Sequence, residues 1–77
     1  MKNLDRAILL VLLAMPRPVP ETVVLARLGE VYSGHATLDE VGDGLERLVA
    51  TGDVERQSKR LLGLLYAITD SGKEAVA

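Results

Sequence analysis

Cysteine, tryptophan and phenylalanine are absent from this sequence, and His35 is its only histidine. Without cysteine no disulfide can form, and a single imidazole without thiolates cannot complete a tetrahedral zinc site. We expect neither a metal nor a cofactor, because no phosphate-binding loop or glycine-rich dinucleotide turn occurs either. No enzyme is expected, since Ser33, Ser58 and Ser71 share only His35 as a base. That histidine lies in a Gly-His loop, where a turn role is commoner than catalysis.

A long hydrophobic run is also missing. The longest run, "AILLVLLAM" at residues 7–15, is far shorter than the roughly 20 residues that a membrane-spanning helix needs. It follows Asp5 and precedes "PRPVPE" where a signal peptide would carry a small-residue cleavage site. We therefore expect a soluble cytoplasmic protein without membrane contact.

The sequence has no excess of basic residues. Nine Lys and Arg stand against eleven Asp and Glu, which gives a net charge of −2. Dedicated nucleic-acid-binding domains usually carry a basic excess, so this balance disfavours one. The 77 residues suffice for a single domain, residues 1–77. A domain this small buries only roughly 60% of its unfolded surface. The 48% hydrophobic content leaves oligomerisation open as a source of further stability.

A first helix is predicted at residues 3–14. Its apolar residues at helical spacing are Leu4, Ile8, Val11, Leu12 and Met15, and Leu9, Leu10 and Leu13 fall elsewhere around the cylinder. A helix that is apolar on nearly every side must be covered on nearly every side. Either a second copy covers it, with Leu9 and Leu13 in the interface, or the remaining elements of the same chain wrap it.

Proline ends this helix and prepares the next one. The segment "PRPVP" at residues 16–20 removes backbone donors, and Val19 is expected to form a short edge strand. Pro20 suits the first turn of a second helix. Its apolar stripe comprises Val24, Leu25, Leu28, Val31 and Tyr32, and Gly34 is expected as a left-handed cap. Gly29 inside the stripe would allow an earlier end.

The third helix has the clearest boundaries. Thr37 and Glu40 form a T-x-x-E capping box, and Gly52 ends the helix. The buried stripe comprises Leu38, Val41, Leu45, Leu48 and Val49. Gly42 and Gly44 each cost a helix about 1 kcal/mol relative to alanine. They indicate either a close approach by another element or a local irregularity.

After Gly52 the hydrophobic period changes to two, which predicts strands at residues 53–58 and 64–69 joined by a loop containing "KRLLG". Leu64, Tyr66 and Ile68 are expected to face the core, with Leu65 and Ala67 on the opposite side. Thr69 is expected to cap a final helical turn. The predicted fold is α+β, mainly α.

This order resembles the winged helix-turn-helix superfamily, in particular small bacterial regulators of the multiple-antibiotic-resistance and phenolic-acid-repressor kind. The resemblance rests on a leucine-rich helix end followed by glycine and a hydrophobic residue, and on an aromatic-x-Leu-Thr-x-x-Gly strand end. The matching residues are Leu45, Leu48, Gly52 and Val54, then Tyr66, Ile68, Thr69 and Gly72. The resemblance implies a three-helix core with a C-terminal β-hairpin wing.

The resemblance also implies that the third helix enters the major groove of double-stranded DNA and that the wing contacts phosphates or the minor groove. The outward positions carried over on the helix are Thr37, Asp39, Glu40, Asp43, Gly44 and Arg47. The wing supplies Arg56, Lys59 and Arg60. Residues 37–55 contain six acids and one base, which opposes phosphate binding, although acids in a first turn also simply stabilise a helix. The basic wing residues could equally solubilise a hairpin end.

The hairpin carries "LLGLL" at residues 61–65, which is unusual for a DNA-binding wing. Clustered exposed leucines usually indicate a partner, and we expect an interface at Leu61, Leu62 and Leu65 unless the hairpin buries them. Two functions remain. One is a DNA-binding transcriptional regulator, dimeric through its first helix, contacting DNA through Thr37, Arg47 and the wing. The other is a protein-interaction module that uses the acidic helix and the leucine-rich hairpin. The first is placed ahead because most winged helices bind DNA.

Overall fold

Four helices and one antiparallel hairpin make up the chain, and the computed structural model describes residues 1–77. The fold is α+β and mainly helical, as predicted. In chain order the elements are α1 (Asn3–Ala14), α2 (Glu21–Leu28), α3 (Leu38–Ala50), β1 (Val54–Lys59), β2 (Gly63–Ile68) and α4 (Asp70–Ala75). The predicted bounds of α1 are confirmed, and each strand lies within one residue of its predicted position.

Helix α1 is the centre of the core. It packs against α2, α3, β2 and α4, so its own chain covers nearly all of its sides. Leu9 is 0% exposed and belongs to the main core cluster. The prediction of Leu9 as an interface residue is therefore wrong, because the small elements of one chain suffice to enclose this helix. Leu13, near the C-terminal end of α1, is 47% exposed.

Helix α2 is shorter than its apolar stripe predicts. It ends at Leu28, and Gly29 keeps a right-handed conformation with φ −60°. The backbone amides of Glu30 and Val31 donate to the carbonyls three residues earlier, which tightens the last turn without a left-handed residue. The prediction of Gly34 as a left-handed cap is wrong, since the only positive φ angles belong to two other glycines.

Both predicted signals at the ends of α3 are confirmed. The Thr37 hydroxyl accepts from the Glu40 amide at 3.2 Å, and the Glu40 carboxylate accepts from the Thr37 amide at 2.9 Å. Gly52 follows the helix with φ +83°, a conformation that side chains other than glycine rarely adopt. Thr51 precedes it as the C-cap.

The glycines inside α3 mark close approaches by other helices. A Cβ atom on Gly44 would lie 2.7 Å from Ile8 Cδ1 and 3.1 Å from Asp5 Oδ1. A Cβ atom on Gly42 would lie 3.0 Å from Glu21 Oε2. Gly44 is buried against α1, so its prediction as an outward position is wrong. The small residue here allows α1 and α3 to approach each other closely.

The hairpin is widened by a third extended segment. Val54 pairs with Ile68 and Lys59 with Gly63 in the β1–β2 register. Val19, where a short edge strand was predicted, forms an isolated bridge with Tyr66 on the other edge of β2. Strand β2 is therefore the middle one of three segments. Thr69 then caps α4, as predicted, by accepting from the Gly72 amide at 3.1 Å.

This arrangement alters the predicted faces of β2. Tyr66 and Ile68 pack on the core as expected, whereas Leu64 is 47% exposed because the hairpin extends beyond the helices there. Leu65 is only 8% exposed. The prediction of Leu65 as an exposed interface residue is wrong, because a residue in the middle segment is shielded by neighbours on both sides.

Candidate interaction surface

The outward base predicted on α3 is held against α1. Arg47 Nη2 donates to Asp5 Oδ1 at 2.8 Å, and Arg47 Nε donates to Asp5 Oδ2 at 3.2 Å. Asp5 is 6% exposed, so its carboxylate needs this bidentate partner. The hydrogen bond from Arg47 to Asp5 raises the pKa of the guanidinium above its ordinary value, and the charges of Asp5 and Asp43 act in the same direction. Arg47 is therefore not free to face a DNA groove while this pair is closed.

The start of α3 presents acids to solvent. Asp39, Glu40 and Asp43 are exposed. A phosphate bound at a helix N-terminus needs free backbone amides and the positive end of the dipole. Here the capping box already engages the Glu40 amide and the Thr37 hydroxyl, and the exposed carboxylates repel any incoming anion. Thr37 therefore acts as a helix cap in this structure.

The first base of the hairpin is also paired. Arg56 Nη1 lies 2.6 Å and 2.7 Å from the two carboxylate oxygens of Glu46, which is an exposed residue of α3. The Tyr66 hydroxyl donates to the same carboxylate at 3.4 Å. Burial raises the pKa of Tyr66, and the nearby charge of Glu46 raises it further. This cluster ties the hairpin to the C-terminal half of α3.

The end of the hairpin, residues 59–64, carries unpaired basic side chains and exposed leucines and is termed the hairpin tip. Lys59 and Arg60 are exposed and form no ion pair or side-chain hydrogen bond; the ion pairs of the chain lie elsewhere. Leu61 is 93% exposed, Leu62 is 69% exposed and Leu64 is 47% exposed. The hairpin tip thus combines two free positive charges with an exposed leucine cluster.

A shallow depression lies beside the acidic start of α3. It has a volume of about 310 Å³, and its lining residues are Lys2, Asn3, Leu4, Tyr32, Glu40, Asp43 and Arg47. Leu38, the first residue of α3, is 38% exposed. The surface called the α3 start is defined by Tyr32, Leu38, Asp39, Glu40 and Asp43.

Of the predicted DNA-contacting residues, three are engaged within the chain and two are free. Thr37, Arg47 and Arg56 have internal partners. Lys59 and Arg60 have none. Of the predicted interface residues, Leu13, Leu61 and Leu62 are exposed, whereas the structure buries the other two. The exposed groups are gathered mainly at the hairpin tip.

Two carboxylates that organise this surface, Asp5 and Glu46, were not among the predicted site residues. Asp5 had a detectable signal, because it precedes Ile8 by three residues and Leu12 by seven, which places a charge on the buried side of α1. A buried carboxylate calls for a basic partner, yet nothing in the sequence selects Arg47 from the nine available bases. Glu46 had no such signal, since it is one exposed acid among several on α3.

Comparison with known proteins gives no match: no family model, curated protein or solved structure is significantly similar to this chain. None of its helices combines the length and apolar character required to cross a membrane. No group of three or more His, Cys, Asp or Glu side chains is placed to hold a metal ion. The candidate surface must therefore be judged on its own geometry.

Proposed function

We propose that this chain is a winged-helix-type domain that binds another protein through its hairpin tip. The winged-helix assignment is supported by the order of α1, a bridge at Val19, α2, α3, the hairpin and α4. It is further supported by the capped α3, which packs beside the hairpin as the resemblance implies. A fold does not fix a function, so the function of the domain depends on its exposed surface.

The observation that carries this proposal is the exposure of Leu61 and Leu62, at 93% and 69%, beside Lys59 and Arg60. Leucines gathered at a projecting turn stabilise the fold little, and such clusters typically mark contact sites. The adjacent bases give the contact a charge preference. A partner with an acidic rim around an apolar patch would satisfy both features.

The same geometry weighs against DNA as the main partner. Affinity for DNA comes largely from neutralising phosphates. On α3, Asp39, Glu40 and Asp43 are exposed while Arg47 is bound to Asp5. A groove-facing helix with this charge distribution would repel the backbone that it needs to approach. The ion pairs of Arg47 with Asp5 and of Arg56 with Glu46 thus favour a protein-interaction module over a DNA-binding regulator.

Site-specific photocrosslinking tests this proposal. A photoreactive amino acid at Leu62 should give protein adducts in the cells from which the chain comes. The same group at Ala26, an exposed residue of α2, serves as the matched control and should give none. Changing Lys59→Glu with Arg60→Glu should remove the Leu62 adducts. Nucleic-acid adducts at Leu62, or no adduct that distinguishes Leu62 from Ala26, would contradict the proposal.

DNA binding remains a second candidate because Lys59 and Arg60 are free at the hairpin tip. Two phosphate contacts would give a slope of log affinity against log salt of roughly −1.8, and about −2.7 if Arg56 left Glu46 and joined them. On this hypothesis Asp39→Ala with Asp43→Ala should strengthen binding by removing repulsion. Arg56→Glu with Arg60→Glu should abolish it, and unchanged binding would exclude docking through the hairpin.

A further inference from the structure

The hairpin tip and the α3 start are complementary surfaces on the same chain. The hairpin tip has Lys59 and Arg60 beside exposed leucines, and the α3 start has acids beside apolar groups. The acids are Asp39, Glu40 and Asp43, and the apolar groups are the exposed Leu38 and the half-buried Tyr32. Of the residues lining the depression, Glu40 and Asp43 face one unpaired base, Lys2, and a second unpaired base, Arg6, lines the neighbouring depression beside Tyr32.

The two surfaces do not meet within one molecule. Arg56 anchors the hairpin to Glu46, which lies seven residues beyond Asp39. That separation corresponds to roughly 10 Å along a helix at 1.5 Å per residue. Beyond Arg56 the hairpin continues to the exposed Lys59 and Arg60, which contact no acid of their own chain. Each molecule therefore presents a basic apolar projection and a separate acidic apolar face.

We infer that the hairpin tip of one copy docks on the α3 start of a second copy. This inference rests on the proposed function, because it names the protein that the hairpin tip binds. A two-fold arrangement would pair both tips with both acidic faces at once, so that one contact type is used twice. The leucines supply the apolar part of the contact, and the charges select its orientation. Burial of Leu61 and Leu62 also adds stability to a domain with a small core.

Sedimentation velocity of the full chain tests this inference through charge reversal. The tip variant carries Lys59→Glu with Arg60→Glu, and the helix variant carries Asp39→Lys with Asp43→Lys. Wild type should associate, more weakly as salt is raised. Each variant alone should associate at least about tenfold more weakly, because like charges then face each other. An equal mixture of the two variants should recover association, since every contact between unlike copies is again complementary.

The controls separate charge effects from unfolding. Arg17→Glu with Lys73→Glu changes the net charge as much as the tip variant does, at exposed residues away from both surfaces, and should leave association unchanged. Circular dichroism verifies that each variant is folded. If the helix variant unfolds because a new lysine lies near Arg47, Asp39→Asn with Asp43→Asn replaces it. This neutral variant should weaken association, and its mixture with the tip variant should stay weaker than wild type, because only one of the two contacts between unlike copies is then complementary.

Two results would overturn the inference. One is a wild-type chain that stays monomeric at the highest soluble concentration in low salt. The other is a mixture of charge-reversed variants that associates no better than either variant alone. The proposed function would survive both results if Leu62 still crosslinked a different protein. It would fail with the inference if Leu62 gave only nucleic-acid adducts, or no protein adduct that distinguishes it from Ala26.

Discussion

Replacing a leucine of α1 and a leucine of the hairpin tip with alanine, one at a time, should reduce the stability of the fold by very different amounts. Leu9 is 0% exposed, and replacing a fully buried leucine with alanine costs about 2–5 kcal/mol. Leu62 is 69% exposed, so less than a third of its surface is covered. Full burial of a leucine contributes about 1.5–3 kcal/mol, and the covered fraction therefore contributes below about 1 kcal/mol. Leu9→Ala should destabilise the fold by about 2–5 kcal/mol, and Leu62→Ala should cost less than about 1 kcal/mol.

The assay is thermal and urea unfolding followed by far-ultraviolet circular dichroism. For a domain this size each 1 kcal/mol corresponds to roughly 4–8 °C in Tm. We expect Leu9→Ala to lower Tm by about 8 °C or more. Leu62→Ala should lower Tm by less than about 8 °C, and by less than Leu9→Ala does. Measurements at low protein concentration keep association from adding to apparent stability.

A loss of Tm for Leu62→Ala as large as that for Leu9→Ala would contradict the expectation that the hairpin tip contributes little to stability. It would show that the hairpin tip is part of the folding core, and the leucines would then need no partner to explain them. A small loss for Leu9→Ala would equally contradict the assignment of α1 as a helix enclosed by its own chain.

Three further predictions follow from the caps and the hairpin. Thr37→Ala should cost about 1 kcal/mol in urea unfolding, because it removes the capping hydroxyl of α3. Gly52→Ala should cost about 1–2 kcal/mol in the same assay because of its positive φ, although the space around it is open. Tyr66→Phe tests the raised pKa of the Tyr66 phenol. Because folding favours the neutral phenol, Tyr66 contributes stability below about pH 10, and this contribution is lost as the pH rises through the pKa that Tyr66 has in the folded protein. The variant should therefore lose less stability than wild type between neutral and alkaline pH, and equal losses would exclude this role.

Local signals determined much of the fold. The capping box at Thr37, the glycine at the end of α3 and the change to a two-residue period are each encoded within a few neighbouring residues. The bounds of α1 and the extended segment at Val19 were predictable for the same reason. Where α2 ends was less predictable, because the apolar residues after Gly29 pack in a tightened turn and do not continue the helix.

Contacts between distant segments were not predictable. Leu9 and Leu13 look alike in the sequence, and only the packing around α1 buries one and exposes the other. Asp5 and Arg47 are separated by 42 residues, so their ion pair appears only in the folded chain. Leu65 was expected to be exposed because strict alternation ignores the shielding of a middle strand. The candidate surface thus depended on the tertiary arrangement.

The proposed function departs from the resemblance in holding that α3 does not contact DNA, and the most direct test of this point is a backbone amide NMR titration of the labelled protein with a random duplex DNA at low salt. Non-specific contact with DNA is strongest under these conditions. We expect no shifts along residues 37–47, because α3 is acidic and Arg47 is held by Asp5. Selective shifts along this segment that fade as salt is raised would show that α3 contacts DNA, contrary to the proposed function.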